Sequence, residues 1–184
     1  MRWQALFDDL EAQVAAAEAA ELQAEVADRT RRELALLRTV DRLRAAEGHP
    51  LAVTVQGAGV VHGRLLDAGG DWALLEEAGG REVLVPLDGV LAVSGLSLRS
   101  AVPGSEGEVG RRLDLRWALR GLARNRAAVS VLLRDGSTVT GTLDRVGADH
   151  VDVAEHAPGE ARRASAVRQV RLIPLPALAC LRSG

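Results

Sequence analysis

Two stretches of this chain, 78 residues apart, carry one pattern: TVQGAGVVHGRLLDAGGDWALL at 54–75 and LLRDGSTVTGTLDRVGADHVDV at 132–153. With Gly63 set on Gly141, positions 53–75 align with 131–153 without a gap. Val53/Val131, Val61/Val139, Gly63/Gly141, Leu65/Leu143, Gly69/Gly147 and Asp71/Asp149 are identical. Each copy follows a helix-forming stretch, 31–46 or 111–125. A unit of about 50 residues buries only a small core alone, so two such units gain by packing together. Duplication of a helix-plus-strands unit therefore frames every other reading.

The strands follow from period-two alternation between turn residues. In the first unit they fall at 51–56, 60–66, 72–77, 82–87 and 90–96, with turns at AGGD (68–71) and AGG (78–80). In the second they fall at 128–134, 138–146, 150–156, 161–167 and 169–175. Five short strands joined by tight turns make a meander or a small barrel. Gly63 and Gly141 sit in mid-strand, where Gly marks a bulge or bend at which a side chain would clash. Gly69 and Gly147 sit where a turn calls for positive φ. SAVPGSEGEVG (100–110) is a linker rich in Gly, Ser and Pro.

The first 47 residues read differently. No Gly or Pro occurs from Trp3 to Glu47, and Ala, Glu, Leu, Arg and Gln dominate. Trp3, Phe7, Leu10, Val14 and Ala17 form a seam of a/d spacing. Thr30 and Glu33 have the spacing of a capping box. Residues 3–46 are therefore either two helices, 3–28 and 31–46, or one long helix with a soft spot near Thr30. Gly48 and Pro50 end the pattern.

These elements predict an α+β protein: a helical arm (1–47), a first small β-barrel (48–99), a linker (100–110), and a leading helix with a second barrel (111–184). The pattern V-x-L-x-D-G-x-x-V-x-G-x-L, carried by Val131, Leu133, Asp135, Gly136, Val139, Gly141 and Leu143, resembles the Sm-like (LSm) family and, more broadly, SH3-like barrels. Val53, Val55, Val61, Gly63 and Leu65 echo it. The resemblance covers about 50 residues in each unit and implies barrels that join edge to edge and often bind single-stranded RNA. The chain departs from that family in the RNA loop. Gly69 and Gly147 stand where an acid is usual, with Trp72 and His150 as the nearby rings that could stack on a base. The family's later Arg-Gly signature is absent.

Charge distribution points to the second unit as the basic one. Residues 101–184 carry 13 Arg against 9 acids, whereas 1–47 carry 7 against 10 and 48–100 carry 3 against 6. All 23 basic residues are Arg, as expected of a chain rich in GC-coded residues. In the helix 111–125, Arg112, Arg116, Arg120 and Arg124 recur every fourth residue, with Trp117 among them. Basic groups with an aromatic suit phosphates and stacked bases. The same pattern also fits a solvated face, or pairing with the acidic N-terminal helices. Arg162, Arg163, Arg168 and Arg171 could extend the patch.

Catalytic and metal chemistry find no support. His49, His62, His150 and His156 lack ligand spacing with a second His or Cys. The glycine runs lack a phosphate-loop ending. The one cysteine, Cys180, reads as a small packing residue in a reducing compartment. No leader or membrane-spanning run is evident, so a cytoplasmic location is expected. The expectation is a non-catalytic protein without cofactor, binding or regulating nucleic acid, RNA or DNA. The alternative is a protein-interaction or assembly module that uses the N-terminal helices and the barrel edges, toward its own copies or another protein.

Overall fold

The computed structural model describes residues 2–105, 113–157 and 167–183. It divides into two units, residues 1–37 and 38–184. The first contains helix α1 (Arg2–Ala35). No interruption occurs at Thr30, whose hydroxyl donates back to the Val26 carbonyl at 2.9 Å, while Glu33 pairs with Arg29 at 3.1 Å. The expected capping box is therefore not used, because Thr30 bonds within the helix instead of opening one. The break falls later, over residues 36–38. Trp3, Phe7, Leu10 and Val14 are all exposed along α1.

The second unit is mixed α+β. Its elements are α2 (Thr39–Arg44), β1 (Pro50–Val55), β2 (Gly59–Ala68), β3 (Trp72–Glu76), β4 (Glu82–Pro86), β5 (Val90–Ser94), α3 (Leu115–Asn125), β6 (Ala128–Leu133), β7 (Thr138–Val146), β8 (His150–Glu155), β9 (Gln169–Pro174) and β10 (Leu178–Ser183). Asp41, fully buried, accepts from the Arg38 amide at 2.9 Å and so caps α2. All ten strands form one antiparallel sheet in the order β5-β1-β2-β3-β4-β10-β6-β7-β8-β9.

The two five-stranded halves repeat each other's register. Val53 faces Val61 and Val131 faces Val139. A bulge lies between Leu65 and Asp67 in β2, and another between Leu143 and Arg145 in β7. Trp72 faces Pro86 as His150 faces Pro174. The same 3₁₀ turn, Leu87–Gly89 or Leu175–Ala177, precedes the last strand of each half. The five first-half strands match expectation. In the second half the closing strand is β10, not the stretch 169–175, which is the fourth. The strand expected at 161–167 lies mostly outside the described residues, as do residues 106–110 of the linker expected at 100–110.

Hydrogen bonding is continuous between the halves through β4 and β10, with Leu84 facing Leu181 and Val83 facing Arg182. This joint also mixes the two cores. Ala179 and Cys180 of β10 pack into the first-half core with α2, and Trp72 and Leu84 pack into the second-half core with Leu115 and Leu119. Ion pairs flank the joint: Arg182 with Glu77 at 3.2 Å and Arg134 with Asp88 at 2.6 Å. Cys180 is fully buried, and burial raises its thiol pKa, so it stays protonated and packs as a small apolar group.

A side chain at Gly63 or Gly141 would clash, as expected, but against the neighbouring strand's backbone; the bulges themselves follow Leu65 and Leu143. A Cβ on Gly63 would lie 2.7 Å from the Glu76 carbonyl oxygen, and one on Gly141 would overlap the Ala154 carbonyl. Gly69 and Gly147 do not fit the turn expectation, since neither has positive φ. A Cβ at Gly69 would meet the Trp72 ring, and one at Gly147 the His150 ring. These two glycines make room for a ring folded back over the β2–β3 or β7–β8 turn.

Candidate nucleic-acid interface

Helix α3 positions the basic groups, and two carboxylates fix its start. Asp114 is the N-cap, its side chain accepting from the Trp117 amide at 2.8 Å. Asp71, from the first half, accepts from the Leu115 amide at 2.7 Å. Two of the amides that a helix start leaves without partners are thus satisfied. Burial pushes the Asp71 carboxyl above its ordinary value, against the Leu115 amide. Burial also pushes on Asp114, but the Arg116 guanidinium and the Trp117 amide outweigh it and hold that carboxyl below the ordinary range. Leu115 and Leu119 face the core and leave the arginines outward.

The arginine stripe separates into different roles. Arg112 lies outside the described residues. Arg116 is clamped to Asp114, at 2.8 Å through Nε and 2.5 Å through Nη2, and it completes the cap. Arg120 and Arg124 are exposed and line a cleft of about 670 Å³ between α3 and β7. Arg126 and Arg145 line it too, together with Asp144. Neither had been singled out from the sequence. Arg126 is the C-cap residue directly after the helix, and Arg145 is brought there by the bulge in β7, which re-aims side chains.

Arg120, Arg124, Arg126 and Arg145 form no ion pair among the described residues. Elsewhere Arg29, Arg31, Arg64, Arg171 and Arg182 all pair with carboxylates. Arg126 is also the one described non-glycine residue with positive φ, at 50°. That left-handed conformation ends α3 and costs an L-residue about 1 kcal/mol relative to glycine. An arginine kept at a position suited to glycine is a strained choice of the kind found at functional sites. The first half carries Asp67 where the second carries Arg145, so the cleft's charge is not duplicated.

Other expected residues are placed elsewhere. Trp117, 47% exposed, lines an apolar groove of about 280 Å³ on the opposite flank of α3, with Trp72, Leu84 and Leu122. Trp72 is buried and donates its Nε1–H to the Leu113 carbonyl at 2.9 Å, so it offers no face for stacking. His150 is held by Asp149 at 2.8 Å. Arg171 pairs with Glu155 at 2.6 Å, away from the cleft, and Arg162 and Arg163 lie outside the described residues. His156 is buried, taking the Thr142 hydroxyl on Nε2 at 2.8 Å and donating from Nδ1 to the Ala157 carbonyl at 3.0 Å. Among the described residues no group of His, Cys, Asp or Glu is placed to hold a metal ion. No described helix is long and apolar enough to cross a membrane.

The cap makes one expected outcome plain. Asp114→Ala lowers stability by about 1 kcal/mol at neutral pH. The wild-type carboxyl is depressed, so its contribution is present above the unfolded carboxylate range. It is lost as pH falls through the folded value. The gap between the two melting curves therefore closes on acidification; thermal unfolding at a series of pH values checks it. No protein-family model matches this chain, and no curated protein matches it in sequence.

Proposed function

We propose that this chain is a non-catalytic, nucleic-acid-binding protein that grips strand phosphates in the cleft of Arg120, Arg124, Arg126 and Arg145. The carrying observation is four exposed guanidinium groups converging on one cleft with no carboxylate claiming them among the described residues. Guanidinium forks match phosphate oxygens two at a time. We read each half as a small Sm-like barrel, supported by the matched registers and paired bulges. We place the protein in the cytoplasm, in keeping with its buried free thiol.

Fluorescence anisotropy with labelled single-stranded RNA, single-stranded DNA and duplex DNA, over a range of salt, tests the reading. Binding that weakens steeply with salt is expected. Arg120→Ala with Arg124→Ala weakens it about a hundredfold, at roughly tenfold per charged contact, and flattens the salt slope by between about 1 and 2. Arg126→Gly separates site from scaffold: it raises stability by about 1 kcal/mol while lowering affinity. Arg116→Ala affects stability more than binding, because that guanidinium serves the cap. An unchanged slope and affinity in the double variant would sink the site.

A second reading rests on α1. Trp3, Phe7, Leu10 and Val14 are 73%, 59%, 47% and 57% exposed on one face, which suits a partner protein helix. Pull-down by a peptide of residues 1–28, lost with Phe7→Glu, is its test.

A further inference from the structure

Helix α3 has two flanks, and the arginine cleft occupies one of them. The other looks onto the apolar groove of about 280 Å³, which exists because the two halves meet. Its floor is a row across three strands, Leu74 facing Leu84 and Leu84 facing Leu181. That row passes from the first half into the second at the β4–β10 joint. Trp72, from the first half, and Trp117 of α3 line it too, two of the chain's three tryptophans. Small-ligand sites favour such places, concave, mostly apolar and set between two structural units.

Negative charge enters the groove from its first-half side. Asp67 faces Leu74 at the end of the floor row, and Glu82 stands two residues before Leu84 on the same face of β4. Neither carboxylate forms an ion pair among the described residues. The cation lining the groove, Arg182, is already held by Glu77 at 3.2 Å. Asp67 and Arg145 are matched positions, each following a bulge. One bulge sends an acid into the groove, and the other sends a base into the cleft. Gly121 keeps the α3 side of the groove open. It has no positive φ, and a Cβ there would have nothing within 4 Å. Neither backbone nor neighbours call for glycine, which is a poor helix former. What its missing side chain supplies is room.

We propose that this groove binds a small aromatic amine. Its ring lies against Trp117 over the leucine floor, and its ammonium group points to the side of Asp67 and Glu82. The volume stands at the small end of ligand pockets, which suits one bicyclic ring on a short chain. Tryptophan faces stack on other rings and attract cations. An anion would meet two carboxylates there, and the guanidinium nearby is already taken. The acid-rimmed groove and the basic cleft thus give α3 opposite preferences on its two flanks. The amine site does not depend on the arginine cleft.

Equilibrium dialysis of the full chain against tryptamine, indole-3-acetate and butylamine at physiological salt tests it. The probes carry ring and ammonium, the same ring with a carboxylate, and an ammonium alone. Tryptamine is expected to bind at least about tenfold more tightly than either of the others. Asp67→Asn with Glu82→Gln lowers tryptamine affinity about tenfold and erases its advantage over indole-3-acetate. Gly121→Leu fills the groove from a helical position that leucine suits, so binding is lost while the melting temperature does not fall. Trp117→Ala, at an exposed position, weakens binding about tenfold and replaces the leucine variant if that one melts early. No uptake of tryptamine overturns the proposal. Equal uptake of indole-3-acetate overturns the choice of a cation. Wild-type affinity in both Gly121→Leu and Trp117→Ala overturns the site and places the amine elsewhere.

Discussion

Removing residues 178–184 unfolds the whole of residues 38–177, not the second half alone. That outcome is expected from what β10 joins. Leu178 and Leu181 are buried in the second-half core, and Ala179 and Cys180 in the first-half core. β10 is also the strand through which β4 and β6 are connected in the sheet. Deleting a buried leucine costs about 2–5 kcal/mol, and a domain of this size has about 5–15 kcal/mol in total. Two leucines, two small core residues and two ladders exceed that reserve. The milder Leu181→Ala lowers stability by about 3 kcal/mol with one transition for both halves. Urea unfolding followed by tryptophan fluorescence, against circular dichroism of the whole sheet, checks this. Two separated transitions would show halves more independent than their shared core implies.

The second large effect concerns three glycines of opposite sign. Gly141→Ala places a methyl group into the Ala154 carbonyl, which is backbone and cannot swing aside. The β7–β8 ladder must part, at a cost of about 3 kcal/mol. Gly63→Ala meets the Glu76 carbonyl oxygen at 2.7 Å and costs somewhat less. Gly121→Ala lies inside α3 with nothing within 4 Å of the added carbon. It stabilises by about 0.8 kcal/mol through helix propensity. Chemical denaturation of the three variants gives the order Gly121→Ala, wild type, Gly63→Ala, Gly141→Ala. Any other order contradicts the packing described for β2 and β7.

The repeat was the most legible part of the chain. Its 78-residue offset carried through to the facing pairs and to both bulges, because side-chain alternation leaves little choice of register once one face is buried. Legibility failed where the offset changed. Across the β8–β9 connection the offset between matched positions grows from 78 to 88, Trp72 facing Pro86 as His150 faces Pro174. Pro86-Leu87 then sets against Pro174-Leu175, and Val90 against Leu178. That proline-leucine step was the available signal for β10. The capping box at Thr30 failed for a different reason: a hydroxyl inside a helix can bond its own i−4 carbonyl.

The cleft was half legible. Arg120 and Arg124 follow from helical spacing. Arg145 belongs to it because of a bulge, and Arg126 because of a left-handed residue, and neither is a periodic feature. Arg116 shows the converse. Its place in the stripe gave no warning that a neighbouring aspartate, needed for the cap, would hold it.

The mixed core has a consequence for synthesis. A growing chain makes β1 to β5 first, and ordinarily an N-terminal unit can fold while the rest is still being made. Here the first-half core waits for Ala179 and Cys180 of β10, which are added only after β6 to β9. Folding of both halves is therefore tied to synthesis of β10. A product cut short by early termination keeps β4 uncovered, and that bare apolar edge marks it as unfinished to any chaperone or protease that reads exposed strands.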